Sequence, residues 1–374
     1  MKFTAITSDI EAALSIASHA ISSRTPQAIF ECVLLETAAD GVHLTCSDGT
    51  MTITAAFNAV IDEDGAIALP GKLFGDIIRR LPYGSVVFST GINQIATLEY
   101  NHSRTRISGR QADLFPPRPL FEASQTVELP QSLLRNMIQQ TSFAVSTDEG
   151  ARKILTGCLL EIANGEARMV ALDGFRLAVK REALPACTQN LKAVIPSRVI
   201  SEISKISSGG DNDMITLSFG GSSLMLKMDR IELYASLLDG EYINYRSIIP
   251  DKFSTKIKVL DREQLALCIE RAALIARDNR NNFVKFTIGD NRMTISAQSE
   301  SGDVEEEVQV DTYGNDLAIA FNVRYLQDTL KAITDDELML LLNTSINPCV
   351  FSPVTDNEDD WSYKYMVLPL RLNA

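Results

Sequence analysis

The sequence predicts an α+β protein of three repeated domains, each with two helices packed on antiparallel sheet. Three observations predict it. A unit of short strand followed by amphipathic helix recurs at a spacing of about 125 residues, over 3–14, 127–138 and 257–268. A second strand–helix junction follows later in each third, over 67–74, 193–200 and 319–326. Between these junctions Thr, Val, Ile, Phe and Tyr alternate with polar residues at period two, the signature of half-buried antiparallel strands.

Taken in order, the six helices are expected over 8–21, 72–80, 130–141, 197–206, 262–277 and 322–332. Strands are expected between them, for example over 42–47 and 98–107. Turn chemistry separates them at Asp40-Gly41, Asp48-Gly49, Asp64-Gly65, Asn164-Gly165, Gly209-Gly210 and Gly289-Asp290-Asn291, where Gly, Asn and Asp supply left-handed backbone. The run Gly209-Gly-Asp-Asn-Asp213 lacks the Lys-Ser/Thr of a phosphate loop and the spaced ligands of a calcium loop, so it reads as a hairpin turn. Pro and polar residues gather over 115–125 and 250–254, placing the domains at 1–122, 126–250 and 253–374. Both linkers are short, as in domains packed side by side.

Composition narrows the class. Of 374 residues 45% are hydrophobic and 22% charged, ordinary for a globular chain, and no apolar run reaches the roughly 18 residues of a membrane span. Asp9 and Glu11 stand where a secretory signal needs apolar residues, so a cytoplasmic location is expected. Cys32, Cys46, Cys158, Cys187, Cys268 and Cys349 lie far apart, without a Cys-x-x-Cys pair, and read as reduced thiols rather than disulfides or metal ligands. The formal charge of −13 argues against nucleic acid, but charge is unevenly placed. The six expected helices hold 11 Lys and Arg against 7 Asp and Glu, whereas the whole chain holds 35 against 48. Two readings fit: ordinary solvated helix faces, or a mildly basic surface on an acidic protein.

Catalytic signals are sparse. His19, His43 and His102 are scattered, and no nucleophile elbow, Walker loop, dinucleotide fingerprint or metal cluster is present, so no catalytic residue, metal or cofactor is assigned. The acidic runs 303–307 and 356–360 read as solvated surface. Two strings stand out. In Leu172-Asp-Gly-Phe-Arg-Leu177 the Asp-Gly turn matches Ser47-Asp-Gly-Thr50 of the first repeat, but Phe-Arg-Leu has no counterpart there. The closing run 365–372 is an apolar strand, either a core strand or one that also lines a groove for a partner peptide.

These residues resemble a known family, the bacterial sliding clamp or beta subunit of DNA polymerase III. The resemblance runs the length of the chain. It is carried by Met1-Lys-Phe-Thr, Arg24, Leu155-Thr-Gly157, Asp173-Gly-Phe-Arg-Leu177, Leu238-Asp-Gly240 with Tyr245-Arg246, Phe321-Asn-Val-Arg-Tyr325 and Val367-Leu-Pro-Leu-Arg-Leu372. It implies a head-to-tail homodimer, a ring of six similar domains with helices lining a hole for duplex DNA. The implied function is that of a processivity factor with no chemistry of its own, tethering the polymerase, clamp-loader subunits and repair proteins through short apolar motifs.

The resemblance also implies site residues. DNA contact, without sequence specificity, falls to Arg24, Lys72, Arg152 and Arg198. In the loop 150–154, Gly-Ala-Arg-Lys-Ile stands where some clamps carry aromatics. One side of the peptide groove is Leu155, Leu172, Gly174, Phe175, Arg176, Leu177, Ile243 and Ile248. The other is Asn322, Tyr325, Ile346, Pro348, Met366, Val367, Leu368, Pro369, Leu370, Arg371 and Leu372. Burying two or three partner side chains at about 1.5–3 kcal/mol each, before ordering costs, suits exchangeable binding. Leu172, Phe175 and Asn281 depart from the family's usual Thr, His or Tyr, and groove-gating aromatic. Ring closure is expected to pair the edge near Arg104, Arg106 and Ile107 with the partner's Leu274, Ile275, Glu305 and Glu306. Two alternatives remain open: a scaffold using the groove without encircling DNA, and an enzyme built on Asp173 and Arg176.

Overall fold

The computed structural model describes residues 1–374 except 23–24, 92, 119, 149, 186, 188, 278–281, 358 and 372–374. Six α-helices are present among the described residues: α1 (Thr7–Ala17), α2 (Gly71–Ile78), α3 (Gln131–Gln139), α4 (Ser197–Ile206), α5 (Arg262–Ala276) and α6 (Val323–Ala332). Each follows directly, or within three residues, on a short strand: Lys2–Ile6, Ala66–Pro70, Gln125–Pro130, Leu191–Pro196, Thr255–Val259 and Leu317–Asn322. The six expected junctions are therefore all there. Helix α1 is shorter than expected, because the chain tightens into a 3-10 turn at Ser18–Ala20. The expected strand over 98–107 is two strands, Ile95–Tyr100 and Ser103–Ser108, folded about Asn101, whose φ is +49°.

All ladders are antiparallel, in three sheets. Three of the junction strands end in proline, which has no N–H for a ladder, and each of the three lies at a sheet edge where none is needed: Ala66–Pro70, Gln125–Pro130 and Leu191–Pro196. At Asn164-Gly165 both residues have positive φ, +55° and +73°, and the two-residue hairpin joins Gly157–Ala163 to Glu166–Leu172 as the sequence suggested. The Gly209 run is not a hairpin. It links α4 to the strand Met214–Gly220, with the Gly210 N–H bonded to Asp213 Oδ2 at 2.7 Å.

The chain folds as two compact units. The first, Met1–Gln131 with Lys205–Leu237, holds a five-stranded sheet and an eight-stranded sheet. In the eight-stranded sheet Ile231–Ser236 pairs with Met51–Phe57. Its core includes Phe3 stacked on Phe88 at 4.8 Å, with Phe74 of α2 edge-on to Phe88.

The second unit, Ser132–Ser204 with Leu238–Ala374, is built on one twelve-stranded sheet. The central strand Arg176–Ala183 pairs with the C-terminal strand Tyr363–Val367, so the second and third repeats share a hydrogen-bonded seam. All six cysteines are free, five of them buried and Cys187 half-buried, and burial pushes the Cys158 thiol up to about 12. Among the described residues no helix is long and apolar enough to cross a membrane, and no cluster of His, Cys, Asp or Glu is placed to hold a metal.

Candidate peptide groove and other functional residues

The seam of the second unit brings most of the expected groove residues together. Strand alternation sends Leu177 and its ladder partner Met366 to one face, and Arg176 and its partner Val367 to the other. Leu177 and Met366 join Leu155, Leu172, Val179 and Val350 in one apolar cluster, roofed by Tyr242 and Tyr245, with Ile243 packed against it. Leu155, Leu172, Leu177 and Met366 are each buried, so they form a floor rather than a rim. Val367, expected in the groove, faces away from it.

Exposed residues supply the walls. Phe175 is 58% exposed, Ile346 66% and Ile248 38%. Pro348, Leu368, Pro369 and Leu370 are half-buried, and Arg371 is exposed. Leu372, Asn281 and Arg24 lie outside the described residues.

The turn 172–177 is a built device. Asp173 Oδ1 accepts from the backbone N–H of Phe175 and Arg176 at 2.9 and 3.0 Å. Asp48 closes the first repeat's turn in the same way, accepting from Thr50 and Met51 at 2.8 Å each. The second turn then adds what the first lacks. Arg176, 8% exposed, donates from Nε to Asp173 Oδ2 at 2.9 Å and from a terminal nitrogen to Asp328 Oδ2 of α6 at 2.6 Å. Its guanidinium also lies 4.8 Å from the Tyr325 ring centre and 5.5 Å from that of Phe143. Phe175 stacks on Tyr325 at 6.0 Å, an aromatic platform at the groove mouth.

Burial, and next the charge of Asp173, raise the Tyr325 phenol above its ordinary value. Gly174 has φ +93°, which the turn requires and glycine alone adopts freely. Asp173 and Arg176 thus hold the turn and tie it to α6.

The C-terminal segment ties both sides. Leu368 N–H bonds to Phe175 O at 2.8 Å, and Leu370 N–H to Ala320 O at 2.8 Å. Asn322 caps α6 by accepting from the Arg324 N–H at 3.0 Å. Tyr245 donates to Glu161 at 2.6 Å and Arg246 to the same carboxylate at 3.1 Å, which pins the segment carrying Ile243 and Ile248. Sequence reading missed Asp328, Phe143 and Tyr242. Asp328 was within reach, because it lies one turn from Tyr325 on the same helix.

The other expected residues are dispersed. Lys72 is exposed at the start of α2, Arg198 at the start of α4, and Arg152 just before the 3-10 turn Lys153–Thr156. Arg104 and Arg106 project from Ser103–Ser108, an outer strand of its sheet, with Arg104 paired to Glu99 at 2.8 Å. Ile107 is only 2% exposed, so it offers backbone rather than side chain. In the strand Gly302–Gly314 the first half pairs with Arg292–Ser299 on one side only among the described residues. Glu305 there is exposed, but Glu306 is engaged by Arg271 at 2.6 Å through both oxygens, which holds its carboxyl below the usual range. Leu274 of α5 is 65% exposed and Ile275 half-buried. The histidines do not assemble a site: His43 bonds to Asp40 at 2.8 Å, and His102 lies exposed in a turn.

Comparison with known proteins agrees over the whole chain. Family models of the DNA polymerase III beta subunit match in order, its N-terminal domain at residues 1–119, central domain at 128–244 and C-terminal domain at 246–371. The beta sliding clamp of Staphylococcus aureus is 32% identical over 362 residues, covering 94% of each chain. That of Staphylococcus epidermidis is 33% identical with the same coverage. Among solved structures, the DNA polymerase sliding clamp from Bacillus subtilis is 28% identical with a TM-score of 0.94, covering all of both chains. The sliding clamp from Pseudomonas aeruginosa bound to griselimycin is 26% identical with a TM-score of 0.92, again over all of both chains.

Proposed function

Because the chain belongs to the DNA polymerase III beta subunit family, the bacterial sliding clamps, we propose that it is the processivity factor of a replicative polymerase. It works as a homodimeric ring around duplex DNA in the cytoplasm, and does so without covalent chemistry of its own. Its three domains are 1–122, 126–250 and 253–374, so two chains give six. The observation that carries the reading is the unbroken match of all three domain models along one chain.

Two unpaired strand edges support ring closure. The outer side of Ser103–Ser108 and the outer side of residues 302–309 each carry a row of backbone groups with no ladder partner among the described residues. Pairing one chain's 103–108 with another's 302–309 satisfies both, and places Leu274 and Ile275 beside the joint. Arg104 and Arg106 then meet Glu305, whereas Glu306 keeps its own Arg271.

Around DNA the bias of the helices toward Lys and Arg has a physical role. Phosphate attraction without base contact holds the duplex while leaving its register free. Arg24, Lys72, Arg152 and Arg198 are the proposed contacts. Polymerase, clamp-loader subunits and repair proteins exchange on the groove at Phe175, Tyr325 and Met366, which is also the proposed seat for griselimycin.

The ring reading is tested on nicked circular DNA. The protein, loaded with the clamp loader, should stay bound through gel filtration and be lost when the circle is linearised. Equal retention on both forms leaves only the scaffold reading. Griselimycin titration tests the groove separately.

A further inference from the structure

The chain after Ser103–Ser108 lies as a strap across one face of the eight-stranded sheet, within the first unit. Ladder register fixes that face. Leu34 stands opposite Thr45 and Thr45 opposite Thr54 in one row, and Glu36 stands opposite His43 in the next. Phe115, 5% exposed, seats the strap on Cys32, Leu34 and Ala68. Farther on, Phe121 meets the Tyr234 ring edge-on at 5.9 Å. Beside the Phe115 seat the strap covers a hollow of about 480 Å³, whose floor includes Leu34, Glu36, Thr45 and Thr52. Arg118 supplies a polar pin, with one terminal nitrogen 3.0 Å from His43 Nδ1 and the other 3.9 Å from Glu232 Oε2.

His43 is held from both ring nitrogens, because its Nε2 also lies 2.8 Å from Asp40 Oδ1. A guanidinium can only donate, so Nδ1 must accept. The single proton of the neutral ring therefore sits on Nε2 and is donated to Asp40. A second proton would set N–H against N–H at the Arg118 contact and put one positive charge beside another. The surrounding groups divide by sign. Asp40, Glu36 opposite on the neighbouring strand, and Glu232 favour a charged ring. Arg118 opposes it, as does Arg230, whose carbonyl is bonded to Ala56, the residue opposite His43 on its other side. Lys227 is drawn off by Glu232 at 3.5 Å.

We propose that Arg118 and His43 form a pH-sensitive latch, which pins the strap while His43 is neutral and frees it when the ring takes up a proton. Phe115 and Phe121 keep their seats, so the release is local and uncovers the hollow without disturbing the sheet. Arg118 then keeps Glu232 as its partner. Asp40 stays ionised throughout, since the hydrogen bond from His43 holds its carboxyl below the usual range. The latch stands apart from both the groove and the ring.

The test is hydrogen exchange of the strap in the full-length protein at about pH 8 and about pH 5.5, which bracket the ordinary titration of histidine. Protection is expressed against an unstructured peptide of the same residues at the same pH, which cancels the intrinsic pH dependence of exchange. Losing the latch should lower strap protection about two- to tenfold on acidification, the worth of one ordinary hydrogen bond, with the strand Cys32–Ala38 unchanged. His43→Asn leaves an acceptor in the place of Nδ1 and nothing to titrate, so its strap should stay protected at both pH values. Arg118→Ala should show the lowered protection at both. Wild-type protection that ignores pH overturns the latch. So does an Arg118→Ala strap that keeps the wild-type pH dependence, or a loss that extends equally to Cys32–Ala38.

Discussion

Replacing Phe175 by alanine isolates the groove from the fold. The side chain is 58% exposed, and its turn is held by Asp173 through backbone N–H groups that the substitution leaves in place. Its stack on Tyr325 exists before any ligand arrives, so that term largely cancels between free and bound states. What remains is the exposed fraction that a ligand covers. Burying a whole Phe is worth about 1.5–3 kcal/mol, so 58% of one gives about 0.9–1.7 kcal/mol. At about 1.4 kcal/mol per factor of ten, Kd rises about 4- to 20-fold. The assay is the ligand titration proposed for the groove, run beside a thermal melt of each protein. An unchanged Kd refutes the placement of the site. A weakened Kd accompanied by a lowered Tm refutes the argument differently, by showing that Phe175 supports the fold.

Three further perturbations probe other parts. Leu274→Glu, at a 65% exposed position near the proposed joint at 302–309, should shift the proposed dimer to monomer on dilution while leaving the monomer's melt intact, as sedimentation velocity reports; an unaffected dimer removes α5 from the joint. Gly157→Ala should lower stability by about 1–3 kcal/mol in denaturant unfolding, because a Cβ there would sit 2.5 Å from Ile195 O and 2.8 Å from Leu238 Cδ1; wild-type stability would show that the strands separate freely. The Glu306 carboxyl is depressed chiefly by its hydrogen bond from Arg271, so its contribution is present above the ordinary carboxylate pKa and lost as pH falls through the folded value. The stability difference between wild type and Glu306→Gln should accordingly shrink on acidification below pH about 4, and a difference constant with pH refutes the pairing.

Much of the fold was legible because each repeat switches between two periods, 3.6 in the helices and 2 in the strands. Proline closes three of the junction strands, a pointer to sheet edges that the sequence reading did not use. Legibility failed where one residue decided the path. Asn101 turns what reads as a single alternating run into a hairpin that pairs Leu98 with Thr105 and Ala96 with Ile107, so the buried positions change from even to odd numbers across the turn. The groove was only half legible. Its apolar residues showed as motifs, but the partners that orient Arg176 come from afar, Asp328 lying 152 residues away in sequence. Val367 was misplaced by treating a strand as a run, although alternation alone turns it from Met366's face.

At the proposed groove, the seam gives a physical reason for weak binding to be specific. If the groove's two sides belonged to bodies free to move apart, a ligand would have to order them, and that cost would come out of an already small interaction energy. Here Arg176–Ala183 and Tyr363–Val367 share a ladder, Leu370 reaches on to Ala320, and Arg176 bridges Asp173 to Asp328. The two sides are therefore one hydrogen-bonded piece before the partner arrives. In the proposed reading a short motif meets a surface already in shape, and affinity differences among partners should lie in how fast they leave rather than how fast they arrive. Arg176→Ala tests this directly. It leaves the carboxylates of Asp173 and Asp328 without their shared cation, and should raise amide exchange in both the 172–177 turn and α6. Increased exchange in the turn alone would show that the bridge to α6 carries none of the preorganisation.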